Sequence, residues 1–321
     1  MQLPYKIEFP IGYLPVLDYQ NKGLLIGSCF SENIGNKLGE NLFDIDTNPF
    51  GVIYNPLSMA KALTRIIDLK LFNQEDLFQS RGLYHSWEHH GSFSGQSVES
   101  TLSKINERIL GANAQLNSPN SFIILTFGSS NAFFKQGQIV ANCHKTPNSE
   151  FSRELLPLSE MVEVWCSLLN RIKEINTDVK VLITVSPVRH LRDGLISNSR
   201  SKSRLFELSH SLCETFEFCN YFPSYEIAID ELRDYRFFEQ DMTHPNSLAI
   251  DYIWQRLMES RMEPSTRDMI EQWTKLRKRL EHRSLHPKSK EDKKFKAKLQ
   301  VDLERFEQKF NIQLSENKRN G

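Results

Sequence analysis

The chain alternates short apolar runs with longer stretches whose apolar positions recur every three or four residues. Leu24-Leu25-Ile26, closed by Gly27, reads as a buried strand, and Ile34, Leu38 and Leu42 then mark one face of a helix over residues 31–42. Three more runs behave like the first: 122–127 ending at Gly128, 179–185 ending at Ser186-Pro187, and 216–222 ending at Pro223. Between them the spacing predicts helices over 56–69, 98–112, 158–175 and 202–213, with a last one over 246–258. Strands alternating with helices predict an α/β fold, a mostly parallel sheet covered on both faces. In such sheets ligands bind beyond the carboxyl ends of the strands, and the polar clusters of this sequence follow those ends.

From about Pro264 the pattern changes to two charged helices, 272–280 and 294–310, joined by a Lys/Ser/Pro/His linker over 283–290. We therefore expect an α/β domain over 1–260 and a basic helical extension over 261–321. Lys plus Arg and Asp plus Glu both total 40, yet residues 265–321 hold 16 basic and 9 acidic side chains, so the body is acidic and the tail basic. The extension is expected to pack as a helical hairpin or to mediate self- or protein association. Nucleic acid is not the expected partner, because its aromatic residues keep to the apolar face.

Five cysteines in 321 residues argue against a disulfide framework. No basic segment leads into an apolar stretch near the start, and no apolar run is long enough to span a bilayer. These features together predict a cytoplasmic protein without a membrane anchor. With 14 glycines and no phosphate-cradling loop, no nucleotide or other cofactor is expected.

Two constellations could carry chemistry. Gly27-Ser28-Cys29-Phe30-Ser31 joins a strand to a helix, where free N–H groups and the helix dipole favour a thiolate or an oxyanion. Alone it could equally be a helix start with Ser31 as N-cap and Cys29 as a small core residue. Asp241-Met242-Thr243-His244-Pro245 precedes the last helix of the body. An Asp three residues before a His can orient the imidazole and leave its other nitrogen free as a general base. The alternative is a polar loop with Asp241 as a capping residue.

Gly27-Ser28-Cys29-Phe30-Ser31 resembles the motif of the GSCFA-domain family, with Ser in place of the final Ala. Asn48-Pro49-Phe50-Gly51-Val52-Ile53-Tyr54-Asn55-Pro56, Ala141-Asn142-Cys143-His144-Lys145, Ser186-Pro187-Val188-Arg189-His190 and Tyr221-Phe222-Pro223-Ser224-Tyr225-Glu226 extend the resemblance, as does 230–237. Together they cover roughly residues 20–258. That family is similar to the SGNH, or GDSL-like, hydrolases, which implies a flavodoxin-like three-layer α/β fold. It also implies an esterase or deacylase acting on an O-acylated substrate such as a glycan. The resemblance puts Cys29 at the nucleophile position, Ser28 at the preceding Asp position, and Asp241 and His244 in the closing Asp-x-x-His. Gly128-Ser129-Ser130-Asn131 stands where a Gly-x-Asn-Asp block belongs, with its Asn displaced by one. Ser28 or Ser31 could replace Cys29 as nucleophile. The same machinery could serve an acyltransferase, and a degenerate site could serve as a binding module without turnover.

Further contacts are expected from the turn amides of Gly27, Ser28 and Cys29, which would hold an oxyanion, from Asn131 or Asn142 as additional donors, and from His144. Arg189 and His190 follow the third strand, where Arg189 could hold a carboxylate or phosphate or pair with Asp193. His85, His89 and His90 suggest a metal only if helical. The surrounding glycines and serines argue for strands or a loop, so no metal is expected and these histidines should line the mouth of the pocket beside Phe93.

Overall fold

The glycine- and proline-terminated apolar runs become adjacent parallel strands. The computed structural model describes residues 7–282, 287 and 289–320. The first of its two compact units, Met1–Arg261, runs β1 (Gly23–Gly27), α1 (Cys29–Glu40), β2 (Ile45–Thr47), α2 (Pro56–Ile67), β3 (Phe78–Ser80), β4 (Leu83–His85), α3 (Val98–Leu116), β5 (Phe122–Phe127), β6 (Asn131–Lys135), β7 (Gln138–Val140), β8 (Ser152–Leu155), α4 (Leu158–Ile175), β9 (Lys180–Val185), α5 (Leu195–Thr215), β10 (Cys219–Tyr221), the short α6 (Ser224–Glu226) and α7 (Ser247–Arg261).

The central sheet has the order β10-β9-β5-β1-β2 and is parallel throughout. From β1 the chain moves one way to β2, and from β5 the other way to β9 and β10, so the topology switches direction between β1 and β5. The crevice beyond the carboxyl ends of those two strands is where such a sheet takes its ligands. Leu24, Ile26, Ile123, Leu125, Phe127, Val181 and Ile183 point into the main core, which α2, α3, α4 and α5 cover. The other face carries α1 and α7, which pack against each other and share the Lys37–Asp251 ion pair at 2.5 Å. This is a three-layer α/β domain.

Several local features differ from the sequence reading. α1 begins at Cys29 because Ser28, and not Ser31, is the N-cap: its Oγ accepts the Phe30 amide at 3.3 Å. α5 begins at Leu195, seven residues before the expected start, on a stretch too polar to show a helical stripe. β10 is three residues long, since Phe216 already caps α5. The hairpin β3–β4 and the sheet β7-β6-β8 lie outside the central sheet. Each contains a two-residue turn with positive φ at both positions, Arg81-Gly82 (52° and 77°) and Gln136-Gly137 (51° and 76°), the geometry that matches strand twist in tight hairpins.

The second unit, Met262–Gly321, is helical: α8 (Pro264–Leu280) and α9 (Lys290–Phe310) start before the expected 272 and 294. The two helices pack together with Trp273 and Phe306 ring centroids 5.7 Å apart, flanked by Arg279–Asp302 (2.8 Å) and Lys309–Asp268 (2.7 Å). Of the expected linker, residues 283–286 and 288 lie outside the described residues, while Ser289 caps α9. No helix among the described residues is long and apolar enough to cross a membrane.

Candidate active site

The site starts from a glycine that no other residue could replace without strain. Gly27 has φ +151°, and a Cβ there would lie 2.3 Å from the Thr126 carbonyl oxygen of β5, so only glycine allows β1 to turn into α1 against its neighbour. Its amide donates to Asn48 Oδ1 at 2.9 Å, and its carbonyl accepts the Ile53 amide at 2.9 Å. The next amide, that of Ser28, donates to Thr126 O at 3.2 Å. The Gly27 and Ser28 amides are therefore spent on the scaffold, so of the three expected turn amides only that of Cys29 is left for an oxyanion. Ser28 is 1% exposed, with its hydroxyl in use as the helix cap, and Ser31 is fully enclosed in α1.

Cys29 is the first residue of α1 and half-buried. Burial and then Glu32 raise its thiol above the ordinary value, while its own N–H, that of Phe30 and the charge of Lys202 act in the opposite direction. The sulfur thus sits at a helix start, beside its own N–H and that of Phe30, the latter shared with Ser28 Oγ. All five cysteines are free thiols.

The Asp241–His244 pair forms within one loop. Asp241 Oδ1 accepts the amides of Thr243 (2.9 Å) and His244 (3.0 Å), while Oδ2 receives His244 Nδ1–H at 2.5 Å. These bonds, led by that from the His244 amide, hold the Asp241 carboxyl well below the usual carboxylate range. The loop runs straight into α7, and a β-bridge between Phe238 and Pro245 closes its base. With Nδ1 turned to Asp241 and Thr243, Nε2 is left without a protein hydrogen bond among the described residues, on a ring about half exposed (49%). The structure brings Asp241 and His244 together. It forms no hydrogen bond between His244 and Cys29.

A cavity of about 280 Å³ opens beyond the end of β5, walled by Tyr54, Asn131, Phe133, Asn142, Arg153 and His190 among others, with Cys29, Asp241 and His244 outside its wall. Tyr54 ties this cavity to the nucleophile turn, because it is in electrostatic contact with Cys29 and its carbonyl accepts the Gly128 and Ser129 amides at 2.9 Å each. A Cβ on Gly128 would press on Tyr54 at 3.1 Å. Asn131 opens β6, and its carboxamide is only loosely bonded to Ser129 Oγ (3.4 Å). Asn142 accepts the His144 amide at 2.8 Å, and its side-chain NH₂ has no hydrogen bond among the described residues. A larger concavity of about 660 Å³ lies along α1 and α3 around the Asp46–Arg108 pair, with none of the expected site residues in its wall.

Other expected residues have structural occupations. His144 Nε2 bonds the Ser86 carbonyl at 2.8 Å and its ring packs on His85 (4.6 Å) and Phe78 (5.6 Å), away from the cavity wall. His190 lines the cavity edge-on to Tyr54 at 5.2 Å, its amide held by Asn198. Arg189 instead lies beside the Tyr225 hydroxyl, where its charge opposes the upward push of burial. The side chain of Asp193 lies outside the described residues. His85, His89 and His90 sit on a strand end and a turn, and none lines the cavity. His89 is buried between Phe50, Phe72 and Phe93, at 4.3, 4.8 and 5.2 Å.

Three residues that the sequence reading did not single out complete the frame. Asn48 and Tyr54 belong to the quoted 48–56 stretch, so the signal was present without its meaning. Lys202 is a buried lysine of α5 whose Nζ donates to the carbonyls of Gly128 and Ser186. Nothing in its local sequence distinguishes it from a surface lysine.

Comparison with known proteins agrees with the motifs. The GSCFA family profile matches residues 22–257, and that of the GSCFA domain protein C-terminal domain matches residues 273–320. No curated protein matches the chain. Among solved structures, a Streptococcus pneumonia protein provisionally described as a platelet activating factor is similar at 10% identity, over 74% of this chain and 82% of its own, with a TM-score of 0.39. A carbohydrate esterase family 3 protein from Talaromyces cellulolyticus has 9% identity, over 78% and 98%, with a TM-score of 0.35. The Clostridium thermocellum family 3 carbohydrate esterase has 11% identity, over 78% and 97%, with a TM-score of 0.31.

Proposed function

The chain belongs to the GSCFA family, and from its site we propose that it is an esterase or deacylase working by acyl transfer through Cys29, His244 and Asp241. The observation that carries this reading is the Asp241–His244 pair, whose Nδ1 is fixed and whose Nε2 is open, on the loop entering the helix that packs against α1. His244 Nε2 takes the Cys29 proton as the sulfur attacks the acyl carbon. The C–O bond then breaks, the imidazolium returns its proton to the leaving alcohol, and a thioester remains. Water, deprotonated by the same nitrogen, attacks that thioester, and the thiolate leaves and is reprotonated. The two groups are not hydrogen-bonded at rest, so proton transfer between them needs a closer approach or a bridging water. The Cys29 amide and the side-chain NH₂ groups of Asn142 and Asn131 are the donors left for the oxyanion, one such donor being typically worth roughly 3 kcal/mol.

The cavity wall combines aromatic faces at Tyr54 and Phe133 with carboxamides and arginines, a set suited to a sugar ring and its hydroxyls. An O-acylated glycan or a smaller ester is the substrate class this wall favours. Free cysteines throughout suit a reducing compartment, so a glycan precursor inside the cell is the version of that substrate we favour. A binding module without turnover is the second reading, favoured by the raised Cys29 thiol and the missing contact to His244. Acetate release from O-acetylated sugars tests the choice. Release by the wild type but not by Cys29→Ala or His244→Ala supports the enzyme, and equal background from all three supports the module. Appearance of acetylated sugar or acetyl-coenzyme A when those acceptors are added, at the expense of free acetate, would identify a transferase.

A further inference from the structure

Beneath the site, α5 carries a cation where a core side chain would be expected. Lys202 is 1% exposed, and its Nζ donates to the Gly128 carbonyl at 2.8 Å and the Ser186 carbonyl at 2.6 Å. Those carbonyls directly follow β5 and β9, so the ammonium sits under the carboxyl ends of two central strands. No carboxylate among the described residues pairs with it. A buried ammonium without a counter-charge is costly, and two carbonyl dipoles compensate it only in part.

The nucleophile turn is anchored to the same strand end. The Ser28 amide donates to the Thr126 carbonyl, two residues before the carbonyl that Lys202 holds, and the Lys202 charge is in electrostatic contact with Cys29. The groups facing this pair are few. Glu32 from α1 opposes a negative charge on Cys29, and Tyr54 from the loop before α2 faces Cys29 as a phenol. The Tyr225 ring lies 5.6 Å from Lys202 Nζ. Lys202 is therefore the cation whose charge acts on the sulfur among the described residues.

We infer that Lys202 is an electrostatic positioning residue for Cys29, the buried ammonium whose missing counter-charge is supplied by the anion formed on that sulfur. Burial pulls the lysine down to about 7, and a charge on Cys29 pulls it back up. The two groups therefore share protons, and thiolate with ammonium is the charged form of one coupled pair. This inference concerns the charge on Cys29 and holds whether or not the chain hydrolyses esters.

The test follows the charge directly on the full chain. The Lys202 ammonium is titrated by NMR in protein with isotope-labelled lysine, in Cys29→Ser and in Cys29→Asp, where a carboxylate stands in for the thiolate. The lysine midpoint is expected to rise by about one pH unit or more in Cys29→Asp over Cys29→Ser, the effect of an opposite charge at close range. Separately, iodoacetamide alkylation of Cys29 is followed against pH in the wild type and in Lys202→Met, which keeps the length and loses the charge. At pH 7.5 the Met variant is expected to react roughly threefold more slowly, the gap closing above about pH 9, where the lysine, pulled down to about 7 by burial and only partly restored by the thiolate, has become neutral. Equal lysine midpoints in the Ser and Asp variants would overturn the inference. So would an unchanged alkylation profile in a folded Lys202→Met. The NMR arm decides alone if that variant does not fold, and neither readout uses ester turnover.

Discussion

Asn48 Oδ1 accepts the Gly27 amide at 2.9 Å, so a side chain from the loop after β2 fixes the turn that presents Cys29. Asn48 is 5% exposed and has φ +48°, a region that asparagine tolerates better than most residues. Replacing it by alanine strands a buried donor on Gly27 and puts a Cβ-bearing residue without local hydrogen bonding at positive φ. Asn48→Ala should cost about 1–3 kcal/mol in a urea titration and slow alkylation of Cys29. Unchanged stability would mean that the turn does not depend on this bond.

Gly27→Ala should be worse. The added Cβ meets a backbone oxygen of β5 at 2.3 Å, at a φ that L-residues avoid, and neither strand can retreat without breaking the register between β1 and β5. Overpacking and strain together predict a loss of about 3 kcal/mol or more. Soluble, cooperatively folded Gly27→Ala with wild-type stability would contradict this account of the turn.

Acid should loosen the fold through His89. Burial, with Arg65 adding to it, pulls its imidazole down to about 3 from 6.5. Below pH 6.5 the unfolded chain binds a proton that the folded chain refuses. The contribution is thus fully present above 6.5 and is lost as pH falls towards 3. The loss amounts to a few kcal/mol, at about 1.4 kcal/mol for each pH unit between the folded and unfolded midpoints. His89→Phe keeps a ring against Phe50 and should flatten the stability curve between pH 6.5 and 4. Parallel curves for the two proteins would remove His89 as the cause.

Asp241→Asn keeps the size of the side chain but exchanges an acceptor oxygen for an NH₂ group or a weaker neutral acceptor. The Nδ1–H tautomer of His244 then loses its charged partner, and Nε2 ceases to be a dependable base. Acylation of Cys29 by an activated ester should fall roughly 10²- to 10⁴-fold. Direct alkylation of the thiol with iodoacetamide should change little. A similar loss in both reactions would point to general disturbance of the site.

The long periodic elements were legible in the sequence, and the pieces whose form depends on partners were not. β5 and α4 occupy the residues that their apolar spacing predicts, Phe122–Phe127 and Leu158–Ile175. Asn55 and Pro56 announce the start of α2, because a side-chain cap and a proline at the first position suit a helix entry. β2 has only Ile45, Asp46 and Thr47 and no apolar run, and is a strand because β1 lies beside it. The start of α5, ahead of the expected 202, shows no apolar stripe in the sequence. It is helical because Ser201 receives the Ser130 amide (2.8 Å) and Lys202 reaches the strand ends, so its buried stripe is made of polar groups that find partners. In the site, the positions of Cys29, Asp241 and His244 follow from short motifs. The use of the Gly27 and Ser28 amides by Asn48 and Thr126 depends on contacts between distant segments, which spacing alone does not encode.

The most direct test is intact-protein mass after brief exposure to p-nitrophenyl acetate, with the acetylated peptide mapped in the wild type, Cys29→Ala, Ser28→Ala and His244→Ala. The account predicts one acetyl group on Cys29 in the wild type, its absence from Cys29→Ala, its near loss in His244→Ala, and its persistence in Ser28→Ala if that variant keeps its helix cap. An acetyl group on Ser28, or on Cys29 at the same rate without His244, would contradict it.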